Sequence, residues 1–283
     1  GGRVVMVETD ERFQPDPERI ARALTPRTKA LILNSPNNPT GVIYSEASLR
    51  AVNAVLPETV LTICDEPYRP LVFDGAVAPE SVRIFDRANG WAWVQADADG
   101  YAGYVPETAI GDVVAVTHQV VAPRTFLYPS ADLRKPPVAA ISMGSMVRIV
   151  GEAETRGTRY LLTERGEGII AAHCRPVDSA LEEDYVAVAL RFIETPYLWG
   201  GRSGFGIDCS GLVQLSMAMT GRRVLRDTDM QVKSLGVEIE RDELRRGDLV
   251  FWKGHVGLME NEETLLHANG HTMNVARENL NEA

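Results

Sequence analysis

The stretch Thr195 to Met217, T-P-Y-L-W-G-G-R-S-G-F-G-I-D-C-S-G-L-V-Q-L-S-M, constrains the fold more than any other part of this 283-residue chain. Gly200, Gly201, Gly204 and Gly206 carry the backbone into Asp208-Cys209-Ser210-Gly211. Apolar residues at Leu212, Val213, Leu215 and Met219 then fit a buried helix. Cys209 is therefore expected at a helix N-terminus, where free amides and the helix dipole lower a thiol pKa and stabilise an oxyanion. A base is offered downstream. Leu249 to Trp252 and His255 to Met259 read as strand, broken or kinked at Lys253-Gly254, and the next apolar run, Thr264 to Ala268, holds His267. A buried cysteine or a strand histidine is, taken singly, more often a core residue. Together, one histidine on each of two adjacent strands opposite a helix-capping cysteine can supply nucleophile, general base and orienting group.

The motifs Y-L-W-G-G, D-C-S-G, R-R-G-D-L-V-F-W with G-H-V-G, and L-L-H-A-N-G run in order from about Asp184 to the C-terminus. In this the chain resembles the NlpC/p60 family of bacterial cell-wall cysteine peptidases, distant relatives of papain. The resemblance implies Cys209 as nucleophile, His255 as base and His267 as the third member, with His271 a rival for that last role. It implies Tyr197 lining the active site and sharing the oxyanion with the Cys209 amide. Asp208, Ser210 and the Arg226-Asp227-Thr228 run match positions lining the substrate pocket in members that act on free murein peptides. Those members cut between gamma-D-glutamate and a diamino acid, typically meso-diaminopimelate. The implied partner is a peptide such as L-Ala-gamma-D-Glu-meso-diaminopimelate, taken by a monomer. A zinc site on Cys209, His255 and His267 is an alternative, but the glycine-rich helix cap suits a thiolate better, and no metal is expected.

A formal net charge of −10 argues against a nucleic-acid partner or an anionic membrane surface. No apolar run reaches the roughly 18 residues of a membrane helix. Cys64, Cys174 and Cys209 fall in separate segments, which suits a reducing compartment, so a cytoplasmic location is expected. The chain opens Gly-Gly-Arg rather than with Met, and it stops at Asn281-Glu-Ala283 soon after the His267 strand. A true start upstream and a missing last strand are both expected.

The first 79 residues have a different pattern. A helix from Glu18 to Leu24, a strand from Lys29 to Leu33, a helix from Ser45 to Leu56 and a strand from Val60 to Cys64 read as a parallel crossover unit. With Asn37-Asn38-Pro39-Thr40-Gly41, Asp65 and Tyr68, this stretch resembles the large domain of class I and II pyridoxal-phosphate aminotransferases. The resemblance implies that Asn38 lies beside the cofactor, Asp65 on its pyridinium nitrogen and Tyr68 near its hydroxyl. After Lys29 the next lysine is Lys135, in an unrelated context, so the Schiff-base lysine is missing and no cofactor is expected.

From Ser81 short strands take over: Val82 to Phe85, Trp91 to Ala96 and Tyr101 to Val105, separated by Asn89-Gly90 and Asp99-Gly100 turns. Val147-Arg148-Ile149 and Ile169 to Ala172 echo them in a second copy, preceded by a first strand and a long loop from Phe126 to Pro137. The pair resembles tandem bacterial SH3-like barrels. The first copy lacks its opening, which places a junction near Ala76 to Glu80. In the resembled recycling enzymes the first barrel helps bind the free L-alanine amine, which implicates Glu80 with Tyr101 or Tyr104.

The expected fold class is α+β. Residues 1–79 form an aminotransferase-like α/β fragment, 80–116 a truncated first SH3-like barrel, 117–178 a second barrel and 179–283 a papain-like cysteine peptidase domain. The expected function is a cysteine endopeptidase of cell-wall peptide recycling or remodelling. The alternatives are an aminotransferase fragment without its lysine and a non-catalytic cell-wall-binding protein.

Overall fold

The structure, a computed structural model, describes residues 3–34, 44–57, 59–65 and 81–282, and the chain divides into compact units 1–72 and 73–283. In the first unit, helix α1 (Pro17–Ala23) starts at Asp16, whose carboxylate accepts the Glu18 and Arg19 amides while Pro17 occupies a position with no amide to satisfy. Helix α2 (Glu46–Val55) is capped by the Ser45 hydroxyl, which accepts the Ser48 amide. Strands β1 (Ala30–Asn34) and β2 (Leu61–Asp65) pair in parallel, Ala30 against Leu61 through Asn34 against Asp65, with α2 in the crossover. Ile20 of α1 and Val52 of α2 are buried, but Ile32 and Leu61 are 63% and 64% exposed. A parallel pair normally lies inside a larger sheet covered on both faces, and here these two apolar residues are exposed.

The second unit opens with a meander of β3 (Val82–Ala88), β4 (Trp91–Ala96) and β5 (Ala102–Pro106). The following segment holds β6 (His118–Val120), β7 (Arg124–Tyr128), β8 (Ala139–Ser142), β9 (Met146–Val147), β10 (Ile149–Thr155), β11 (Thr158–Thr163), β12 (Gly168–Ile170) and β13 (Cys174–Pro176). These form a five-stranded sheet, β10-β11-β12-β7-β8, and a three-stranded one, β13-β6-β9.

The internal repeat is visible in backbone detail. Each meander has a register shift in its first strand, at Ile84/Asp86 and Ile149/Gly151. Each turns through two left-handed residues, Asn89-Gly90 and Arg156-Gly157, and each closes on a 3-10 turn. The copies then part. β12 pairs onward with β7, whereas β5 is hydrogen-bonded only to β4 among the described residues. One expectation is corrected: Phe126 to Tyr128 belong to β7 rather than to a long loop. Thr125 and Leu127 point inward while Phe126 is exposed, the period-2 alternation of a half-buried strand.

The C-terminal part packs α3 (Tyr185–Leu190), α4 (Cys209–Ala218) and α5 (Thr228–Ser234) with a short hairpin, β14 (Arg202–Ser203) and β15 (Gly206–Ile207). Its sheet is β16 (Leu249–Trp252), β17 (His255–Met259), β18 (Thr264–Asn269) and β19 (Asn274–Asn279), antiparallel and in chain order. The Lys253-Gly254 break is the turn of the β16-β17 hairpin, and a further strand does follow the one that carries His267. Every residue of α4 from Cys209 to Met217 is buried. Leu212 and Val213 share one core with Val256, Leu258, Leu266 and Ala268. An all-round buried helix crossing the sheet fixes its first residue against β17.

Both β segments are tied to this part. Gln214 of α4 donates to Asp99 of the β4-β5 turn at 2.8 Å, and the Gly204 amide donates to the Ser142 hydroxyl at 2.7 Å.

Candidate active site

Asp208 organises the start of α4. Its carboxylate accepts the Gly211 amide at 2.7 Å as helix cap and the Gly200 amide at 2.9 Å, clamping the glycine-rich loop to the helix. The crossing is close: a Cβ on Gly211 would lie 2.4 Å from the Gly201 carbonyl oxygen, so no other residue fits there. Arg226, 4% exposed, completes the arrangement with bonds of 2.7 and 3.0 Å to Asp208 and 2.9 Å to the Ser210 hydroxyl. Asp208 and Ser210 are buried, and their side-chain oxygens are taken up by this ion pair and the cap. Arg226 as the counter-charge beside the nucleophile was not foreseen as a partner of Asp208. Its place in the Arg226-Asp227-Thr228 run was the available signal.

Cys209 is buried, and its sulfur lies 3.8 Å from the Thr228 hydroxyl. Burial and, after it, the Asp208 charge push the thiol pKa up, against the smaller opposing pull of the Val256 and Ser210 amides and the Thr228 hydroxyl. The expected lowering by the helix N-terminus is therefore overturned, because desolvation of an enclosed thiolate outweighs the aligned amides.

His255 begins β17, opposite Trp252, whose ring centroid is 5.6 Å from the imidazole. Its Nε2 is 2.8 Å from His267 Nδ1. Burial lowers the pKa of both histidines, reinforced at His255 by His267 and opposed at each by Glu278. The contact requires a glycine between them. A Cβ on Gly257 would stand 2.7 Å from Leu265 Cδ1 and 3.2 Å from His267 Cβ. Beyond the pair, His267 Nε2 lies 3.2 Å from Glu278 Oε2 and 3.2 Å from Asn269 Nδ2. Neither Asn269 nor Glu278 was singled out from sequence. The alternation in Asn274 to Asn279, which makes β19 and brings Glu278 onto the His267 face, was the missed signal. His271 is exposed in the turn after β18 and does not join the pair.

Tyr197 packs against the core cluster that contains Cys209, and burial first, then Cys209 and Asp208, push its pKa up to about 12. Its hydroxyl is therefore a donor. Tyr101 donates to Asp227 Oδ2 at 3.0 Å, while burial raises the Asp227 pKa. Tyr104 instead packs on Trp93, centroids 4.7 Å apart and ring planes tilted by 51°. Glu80, Asn38 and Tyr68 lie outside the described residues. Asp65 ends β2, and its side chain lies outside them too.

Residues 194–283 match the model of the NlpC/P60 family, and residues 1–100 match that of aminotransferase class I and II. A gamma-D-glutamyl-L-lysine dipeptidyl-peptidase of Bacillus subtilis is 29% identical over 187 residues, 61% of this chain and 61% of that protein. A probable aspartate/prephenate aminotransferase of Thermus aquaticus is 53% identical over 79 residues, 27% of this chain and 21% of that protein. The chain thus spans less than two thirds of the length of either relative. A crystal structure of an NlpC/P60 family protein from Bacillus cereus superposes with a TM-score of 0.61 over 73% of this chain and 76% of that one, at 22% identity, so the fold is shared. The chain joins an NlpC/P60 domain at its C-terminal end to an aminotransferase-like segment at its N-terminal end.

Proposed function

We propose that this chain is a cysteine peptidase that hydrolyses the bond between gamma-D-glutamate and a diamino acid, meso-diaminopimelate or L-lysine, in murein peptides. The observation that carries the reading is the His255–His267 contact of 2.8 Å on strands that pack against the helix begun by Cys209. With its Nε2 engaged by His267, His255 has its Nδ1 left for the thiol. The thiol is protonated at rest, so the nucleophile is made during attack: His255 Nδ1 takes the Cys209 proton as sulfur bonds to the gamma-carbonyl carbon. The Cys209 amide and the Tyr197 hydroxyl hold the oxyanion. The imidazolium then protonates the departing amine. Water, deprotonated by His255, hydrolyses the thioester and releases the acyl dipeptide. On the acyl side, Thr228 touches the sulfur and Asp227 is its neighbour, bonded to Tyr101, a placement suited to the free N-terminal amine of a short peptide.

The test is incubation with L-Ala-gamma-D-Glu-meso-diaminopimelate and with its L-lysine counterpart, products read by mass spectrometry, beside Cys209→Ala. L-Ala-D-Glu plus free diamino acid from the parent alone is the expected result. Intact peptide after incubation with the folded parent rejects the reading.

A further inference from the structure

Glu278 takes no step in that mechanism, yet it touches the histidine pair. Register explains the contact. On paired strands β18 and β19, Leu265 faces Glu278 and His267 faces Ala276, so Glu278 is the diagonal neighbour of His267 on the same face. Its side chain is 24% exposed and that of His267 6%.

A neutral imidazole carries one N–H, and His267 Nε2 has two neighbours that ask for opposite tautomers. Asn269 Nδ2, at 3.2 Å, can only donate. Were it to donate there, His267 would hold its proton on Nδ1 and donate to His255 Nε2, leaving His255 protonated on Nδ1 and unable to accept from the thiol. Glu278 Oε2, also at 3.2 Å, is a carboxylate oxygen that accepts. With it as partner the chain of bonds runs the other way. His267 Nε2–H donates to Glu278, His255 Nε2–H donates to His267 Nδ1, and His255 Nδ1 is a free lone pair.

The surroundings decide between the two. Asn269 cannot turn over, because its Oδ1 accepts from the His271 amide at 2.9 Å, the Thr272 amide at 2.7 Å and the Thr272 hydroxyl at 3.1 Å. Its Nδ2 has two hydrogens and a second acceptor, Glu278 Oε1 at 3.4 Å. Glu278 thus accepts from Asn269 with one oxygen and holds the other 3.2 Å from His267 Nε2, where a carboxylate favours a proton on that nitrogen.

We propose that Glu278 is a positioning residue that sets the tautomer of His267 and, through it, of His255, so that an unprotonated Nδ1 faces Cys209. The inference rests on the peptidase reading. In the attack the thiol proton goes to His255 Nδ1 and sulfur's electron pair to the carbonyl carbon. His267 stays neutral and Glu278 stays a carboxylate, so no proton moves along the chain of bonds.

The test has a spectroscopic arm and a kinetic arm, both on the full chain. In a 15N-histidine sample at a pH where the imidazoles are neutral, His255 and His267 are both expected as Nε2–H tautomers, a measurement that needs no variant. Glu278→Gln keeps the size but reverses the logic. Its amide satisfies Asn269 only by turning the oxygen to Nδ2 and its own NH2 to His267. Both histidines are then expected to switch to Nδ1–H, kcat to fall about 10²- to 10⁴-fold, the range of general acid–base catalysis, and KM to change little. Glu278→Asp, which keeps an acceptor, retains the parent tautomers and more of the rate than Gln. A proton on His267 Nδ1 in the parent, or an unchanged kcat in a folded Glu278→Gln, overturns the proposal. A parent that cleaves neither tripeptide rejects the peptidase reading, and the parent tautomers still decide the role of Glu278.

Discussion

Arg226→Met removes the guanidinium from the Asp208 carboxylate with little change of side-chain volume. The two side chains are 5% and 12% exposed and 2.7 Å apart, so the variant leaves a buried charge without its counter-ion. Breaking such a pair costs about 3–5 kcal/mol. Asp208 retains the Gly200 and Gly211 amides, which places the loss toward ~3 kcal/mol rather than 5. That is a large share of the ~5–15 kcal/mol that typically holds a domain, and it corresponds to a fall in Tm of roughly 6–12 °C at about 2–4 °C per kcal/mol for a unit of this size. All four tryptophans, Trp91, Trp93, Trp199 and Trp252, lie in unit 73–283, so tryptophan fluorescence during urea or thermal unfolding reads this unit alone. The double variant Asp208→Asn with Arg226→Met, which removes the stranded charge, is expected to lose less than the two single losses summed. A loss below about 1 kcal/mol in Arg226→Met, the scale of an exposed pair, refutes the reasoning.

Gly257→Ala places a methyl against Leu265 and His267; a loss of about 1–3 kcal/mol is expected from overpacking, and kcat should fall further than stability alone explains because His267 is displaced from His255. Unchanged kcat would show that the pair tolerates the shift. In the pH profile of kcat/KM, the acid limb is expected below about 6.5, since the His255 pKa is lowered, and the alkaline limb above about 8.5, since the Cys209 thiol is raised. An alkaline limb below neutrality contradicts a thiol that is protonated at rest. His173, His255 and His267 all have lowered values, so their contribution to stability is full above about 6.5 and is lost as pH falls from there through their folded pKa values; urea midpoints across pH 5 to 8 read it. Asp99→Ala removes one of the two acceptors of Gln214 Nε2, the one that tethers the β4-β5 turn to α4, while the Val224 carbonyl remains at 3.0 Å; a loss of about 1 kcal/mol is expected in the same fluorescence assay.

What could be read from the sequence was what is local. The glycine run followed by an apolar helix placed Cys209 at a helix start, and the Asn89-Gly90 dipeptide marked its turn, whereas the matching left-handed pair Arg156-Gly157 carries an arginine in place of the asparagine and was not read. The parallel crossover of the first unit followed from strand, helix and strand lengths. What could not be read depends on register and enclosure. Arg226 meets Asp208 across eighteen residues of chain, and Glu278 meets His267 only once β19 is laid diagonally beside β18. The thiol pKa was misjudged because a helix terminus is written in sequence, whereas burial of the sulfur comes from the sheet behind it.

The most direct test of the account is the mass of the intact chain, quenched in acid during turnover of L-Ala-gamma-D-Glu-meso-diaminopimelate. The account predicts an L-Ala-D-Glu acyl group in thioester linkage, mapped by peptide digestion to Cys209 and absent from Cys209→Ala. Peptide cleavage by Cys209→Ala at the parent rate, or an acyl group carried on another residue, would contradict it.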